Sequence, residues 1–148
     1  MINCTPIELS PSLAGILAAG HAAAREPDDQ SVRGGTQGNL ESTNIKAVLR
    51  LKHEILSRHK GMKFSGIWST ALAKGGYHVP HNHPKGEISG VVYVSVPHPD
   101  SGHLRFGVVD IPPSEGTMVT FPSTVVHEVT TYEGEQPRIA VGFDLVRA

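Results

Sequence analysis

A single cysteine, Cys4, is all the thiol that the 148-residue chain contains. It excludes an internal disulfide and a thiolate metal site, and it suits a reducing compartment, the cytoplasm. Charge of one sign is equally scarce. The 13 basic residues against 14 acidic ones leave a formal net charge of -1, with no electrostatic footprint for nucleic acid or an anionic membrane. No apolar stretch approaches the ~20 residues that a membrane helix needs, and the N-terminus lacks a basic region followed by an apolar run of signal-peptide length. Internal repeats and low-complexity segments are missing too. The length and the 39% hydrophobic content suit one domain with a real core.

What the chain does have is 16 Gly, 11 Pro and 9 His. The first two indicate many turns. In the first 62 residues, Ser10-Pro11 reads as a helix opening, with Leu13, Ile16 and Leu17 on one face to about Arg25. Residues 26–40 carry turn residues without periodicity and read as a long loop, its segment from Arg33 to Leu40 a candidate lid or a plain connector. A second helix, capped by Ser42 or Asn44, places Ile45, Val48, Leu49, Ile55 and Leu56 at helical spacing to about Lys60.

From residue 63 onward the texture changes to short Val/Ile/Phe/Tyr/Thr runs between Gly/Pro turns. Strands are expected over 63–72, 78–80, 88–97, 103–108, 117–121, 125–130 and 138–146. This predicts a mainly β fold with flanking N-terminal helices, a jelly roll of about seven or eight strands. Residues 1–62 would be its helical part and 63–148 its core. The helices would cover the sheet face that carries Trp68, Val92 and Phe106.

Three of the histidines, His78, His81 and His83, fall within six positions. In a strand, residues two apart share a face, so His81 and His83 aim at one point while Asn82 faces away. That is a two-toothed metal clamp for Fe(II), Zn, Ni or Cu. His127, near the start of a later strand, is the best third ligand. A regular strand would turn His78 to the opposite face. His98 and His103, flanking the turn at 99–102, are expected to be exposed, and His21, His53 and His59 to lie on helices without a role.

Two jelly-roll families share this spacing. Gly75, His81, His83 and Glu87 resemble the first cupin motif. Gly116, Pro122 and His127 resemble the second, with Thr124 in place of a glycine. That resemblance implies Glu87 as an alternative ligand and a three-histidine dioxygenase, an isomerase or a binding protein. A fuller resemblance is to the 2-oxoglutarate and Fe(II)-dependent oxygenases of the bacterial and phage prolyl-hydroxylase-like branch. Trp68, His81-Asn82-His83-Pro84, Ser89-Gly90-Val91-Val92-Tyr93-Val94, Phe121-Pro122-Ser123, His127-Glu128-Val129 and Arg138 to Phe143 carry it, with a weaker match at Arg33-Gly34-Gly35-Thr36-Gln37.

The resemblance implies a double-stranded β-helix, one oxygenase-like domain over residues 1–148, Fe(II), 2-oxoglutarate and O2, and hydroxylation of a small molecule or peptide. It implies that Arg138 grips the far carboxylate of 2-oxoglutarate, with Tyr93 donating its hydroxyl to the same group. The fork of a guanidinium suits a carboxylate, and burying it is costly unless an anion is expected. The bland readings are an Arg138 on the surface paired with Glu133 or Glu135, and a Tyr93 that only packs. The middle ligand of the usual facial triad is a carboxylate, and His83 stands in its place. A non-catalytic jelly roll whose histidines collect nickel or zinc is a third reading, and a homodimer is left open.

Overall fold

Alternation of apolar and small polar side chains carries the C-terminal half into a curled antiparallel sheet. The computed structural model describes residues 1–23 and 31–148, so the expected loop residues 26–30 and the end of the first helix lie outside it. In chain order the elements are β1 (Asn3–Pro6), α1 (Leu13–Ala23), β2 (Val32–Asn39), α2 (Lys46–Ser57), β3 (Met62–His81), β4 (Ile88–Ser95), β5 (Leu104–Phe106), β6 (Val109–Ile111), β7 (Thr117–Pro122), β8 (His127–Val129) and β9 (Arg138–Arg147). The sheet runs β1-β7-β4-β9-β3-β8-β5-β6, with β2 also on β3. This is the expected double-stranded β-helix with N-terminal helices.

Period-two patterning sorts the side chains of the central strands onto two faces. Ile67 and Ala71 of β3, Val92 and Val94 of β4, Met118 of β7 and Ile139, Val141, Phe143 and Leu145 of β9 form one core layer. Leu13 and Leu17 of α1 and Val48, Leu51 and Ile55 of α2 close over it. The other face of the same strands contributes Leu72, Tyr93, Val119, Phe121 and Ala140 to a second core with Leu104, Phe106 and Val129. The helices therefore cover Val92 as expected, but Trp68 and Phe106 face the opposite side: Trp68 lines the interior of the roll and Phe106 joins its core.

Several boundaries differ from the expectation. The expected loop is half a strand: β2 pairs along β3 from Val32↔His78 to Asn39↔Trp68. Its glycines hid it from propensity, and they are there because the backbones approach closely. A Cβ on Gly35 would sit 2.4 Å from the Ala71 carbonyl, and Gly34 has φ +65 at the bulge between Arg33 and Gly35. The segment from Arg33 is thus neither lid nor free connector. β1, which pairs with β7, was also unforeseen. On α2 the N-cap is Ile45, without a side-chain cap bond, rather than Ser42 or Asn44. Ile45 and Leu49 are exposed, because the burying stripe is Ala47, Val48, Leu51 and Ile55.

Candidate metal and carboxylate site

The two strand segments expected at 63–72 and 78–80 are one 20-residue strand, β3. Its far end brings the first two site histidines into place. β8 runs antiparallel to it with His81 directly opposite His127, and facing residues of such a pair have Cβ atoms about 4.5–5.5 Å apart. The ring centroids of the two histidines lie 4.4 Å apart. β3 ends at His81, so His83 does not share the face by strand alternation. The chain turns after His81, and the His83 amide donates to the Ser123 carbonyl at 2.8 Å. This brings the His83 ring to 5.1 Å from His81 and 5.2 Å from His127. One nitrogen from each of the three rings lies within 4.8 Å of the others.

Each ring has its Nδ1 engaged elsewhere. His81 Nδ1 donates to the Val79 carbonyl at 2.6 Å and His127 Nδ1 to the Val125 carbonyl at 3.0 Å. His83 Nδ1 donates to Asp144 Oδ2 at 3.1 Å. A carbonyl or carboxylate only accepts, so the proton sits on Nδ1 and the lone pair on Nε2 in all three. The rings are walled in. His127 packs against Phe121 at 4.7 Å and Phe106 at 6.0 Å between centroids. Trp68 stacks on His83 at 5.7 Å with 8° between planes. The indole has room because residue 142 is glycine, where a Cβ would meet Trp68 Nε1 at 2.5 Å.

Glu87 is not part of the cluster. It sits just ahead of β4 with its side chain half exposed, 3.7 Å from Arg147. The carboxylate beside the histidines is Asp144, on β9. Its neighbours along the chain carry no metal signature; only the pairing of Ser89 with Asp144 across β4 and β9 brings it near. His78 does not take the opposite face that a regular strand predicts. Three residues of β3 span two of β8 between the pairs His78↔Val129 and His81↔His127. This bulge turns His78 into the same cavity as His81, where its Nε2 is buried without a partner among the described residues. His98 and His103 are half-buried rather than exposed: His98 Nδ1 bonds Ser101 Oγ at 2.8 Å, and Nε2 of His103 is buried. His21 bonds Thr36 Oγ1 through Nδ1 at 2.6 Å, and His59 bonds the Ile55 carbonyl at 2.8 Å. His53 is exposed.

Arg138, the first residue of β9, faces the same interior opposite Leu72. It is 1% exposed, and no carboxylate among the described residues pairs with it. Glu135 is taken by Lys74 at 2.5 Å, so the surface reading fails. Nε and Nη1 of Arg138 and the Tyr93 hydroxyl are buried without hydrogen-bond partners among the described residues. The guanidinium carbon lies 5.2 Å from the Tyr93 ring centroid. Burial lowers the Arg138 pKa, with Tyr93 opposing the shift, and burial raises that of the Tyr93 hydroxyl. The hydroxyl thus stays a donor. A cavity of about 500 Å³ joins Arg138 and Tyr93 to the three histidines, and Leu104, Phe121 and Val129 line it as well.

Burial pushes the pKa of His127 down to about 4 and that of His78 to about 3. Both rings are therefore neutral at physiological pH, as metal ligation requires. The unfolded chain takes up these protons below pH 6.5, whereas the folded chain refuses them until pH 3–4. Stability is thus full above pH 6.5 and lost as pH falls toward those values. For the metal-free protein at pH 5 the loss is on the order of 2 kcal/mol per histidine. Urea unfolding at pH 7 and pH 5 measures it, and equal midpoints would contradict the burial argument.

A family profile described as "Putative 2OG-Fe(II) oxygenase" matches residues 66–108 and 100–144, together more than half of the chain. No curated protein sequence matches. Among solved structures, a prolyl-4-hydroxylase from Pseudomonas putida superposes with TM-score 0.77 at 18% identity, covering 99% of this chain and 93% of its own. A viral collagen prolyl hydroxylase from Paramecium bursaria Chlorella virus-1, in complex with 2OG, gives 0.72 at 15%, covering 99% and 96%. HygX from Streptomyces hygroscopicus, with nickel and 2-oxoglutarate bound, gives 0.71 at 9%, covering 99% and 83%. These likenesses bear out the fold, and the profile match, extending over His81, His83, His127 and Arg138, shows that the chain belongs to the 2-oxoglutarate and Fe(II)-dependent oxygenases.

Proposed function

We propose that His81, His83 and His127 hold the Fe(II) of this dioxygenase through Nε2, and that Arg138 and Tyr93 receive the distal carboxylate of 2-oxoglutarate. The observation that carries the reading is the buried Arg138, two of whose nitrogens have no partner among the described residues, in one cavity with three histidines. An uncompensated buried guanidinium is costly, and a dicarboxylate reaching from the metal to Arg138 relieves that cost. The histidines fit the metal because each Nδ1 is held by an acceptor.

Bound there, Fe(II) with 2-oxoglutarate and O2 supplies the oxidising chemistry that releases succinate and CO2 and hydroxylates a C–H bond of the substrate. The chain's own residues position and exclude. The Val79 and Val125 carbonyls keep the lone pairs of His81 and His127 on the ligating side. The Arg138 guanidinium supplies charged N–H donors for a carboxylate and the Tyr93 hydroxyl a further one. Between Arg138 and Asp144, β9 lines the cavity with the small side chain of Ala140 and with Gly142, over which the Trp68 indole lies. Phe106, Phe121 and Val129, buried around His127, keep water from its flank.

The substrate is a small molecule or a peptide that enters where His81 and His83 are partly exposed. A balanced charge gives no hold on nucleic acid, and no helix among the described residues is long and apolar enough to cross a membrane. The free, exposed Cys4 agrees with a cytoplasmic location. A cupin-type three-histidine protein that does not use 2-oxoglutarate has no need of a buried Arg138. Metal analysis of untagged protein with a succinate-release assay tests the reading. One Fe per chain with 2-oxoglutarate-dependent succinate is expected. Iron without succinate would favour the cupin type, and no stoichiometric metal a binding module.

A further inference from the structure

His83 differs from the other two histidines in what stands behind it. His81 and His127 lean on neutral backbone carbonyls, whereas His83 leans on the carboxylate of Asp144. Asp144 Oδ1 accepts from Ser89 Oγ at 2.6 Å, and Ser89 Oγ bonds Ser123 Oγ at 2.8 Å. Ser123 in turn holds the His83 backbone through its carbonyl. The network is tightly built: Ser89 is 2% and Ser123 1% exposed. A Cβ on Gly86 would come within 2.5 Å of Ser123 Oγ and 3.3 Å of Asp144 Cβ. Ser89 and His83 thus each hold one carboxylate oxygen of Asp144, and Ser123 ties these two holders together.

Three neutral imidazoles leave a divalent metal with its full charge, one unit more than the two-histidine, one-carboxylate triad leaves. We propose that Asp144 is the carboxylate of this metal centre, acting from outside the coordination sphere by holding and charging His83. This rests on the metal reading above. The donated Nδ1 proton fixes the tautomer of His83, and the anion makes its Nε2 a stronger donor to the metal. Ser89, on the other oxygen, aims the carboxylate. Asp144 is a positioning residue: it touches neither substrate nor metal.

The test is titration of the metal-free full chain with Co(II). Trp68 is the sole tryptophan and stacks on His83, so its emission reports occupancy, while the visible bands of the Co(II) protein report coordination. Asp144→Asn is expected to weaken Co(II) binding about 10–100-fold with the wild-type band pattern kept. Ser89→Ala is expected to give a smaller loss in the same direction. The thermal midpoint of each metal-free variant verifies folding. Wild-type affinity in both folded variants would overturn the proposal, as would a changed band pattern in Asp144→Asn, which would make Asp144 a ligand itself. Failure of the wild-type chain to bind Co(II), or binding that survives His81→Ala, would instead overturn the metal reading.

Discussion

Arg138→Met is expected to abolish 2-oxoglutarate binding while making the ligand-free protein more stable. The two effects have opposite signs because the guanidinium is buried with two nitrogens unpartnered among the described residues. Its charge is costly to the fold until an anion arrives. Replacing a buried charge by an apolar chain of similar length is often stabilising, by roughly 1–4 kcal/mol, which raises the thermal midpoint by several degrees in a domain of this size. Truncating one partner of a buried, hydrogen-bonded charge pair costs about 2–5 kcal/mol of binding, or roughly 30-fold to several-thousand-fold in affinity. Melting curves with and without 2-oxoglutarate read both at once. The wild-type midpoint rises with ligand; that of the variant starts higher and does not move. A variant that still responds to 2-oxoglutarate at wild-type concentrations would remove Arg138 from the cofactor site.

His127→Ala is expected to lose the metal altogether, and succinate release with it. Removing an outer partner of a ligand costs about 10–100-fold in affinity, so removing one of three inner ligands costs more than that. Of the three histidines His127 is the buried one, packed against Phe106 and Phe121, so no surface residue can swing in to replace it. Glu87→Gln is the control. Its carboxylate faces Arg147 at the surface, and its loss leaves metal content unchanged. Equilibrium dialysis against Fe(II) or Mn(II) measures both. Metal retained by His127→Ala, or lost by Glu87→Gln, would reinstate the cupin-like ligand set.

The histidines were legible in the sequence because their spacing is local and their chemistry is rare: His81 and His83 stand two apart, and His127 opens a readable strand. Arg138 was legible through its place after His127, and Tyr93 through its strand. The helices and the alternating strands of the C-terminal half followed from periodicity, which depends only on each segment's own side chains. β2 was invisible to the same reasoning, since its Gly34, Gly35 and Gly38 are set by the closeness of β3 rather than by any strand propensity of their own.

Tertiary structure alone decided the rest. Whether Arg138 is buried depends on β9 pairing with β3 at Leu72, which turns its guanidinium into the cavity and away from the exposed Glu135. The bulge that turns His78 inward arises from a mismatch between β3 and β8 that neither segment encodes singly. Asp144 reaches His83 across 61 residues of chain. Sequence by itself determined which side chains were available to hold a metal and an anion, because that is a matter of residue chemistry. The choice of Asp144 over Glu87 as the nearby carboxylate was made by strand register, a long-range property that becomes definite only when the sheet closes.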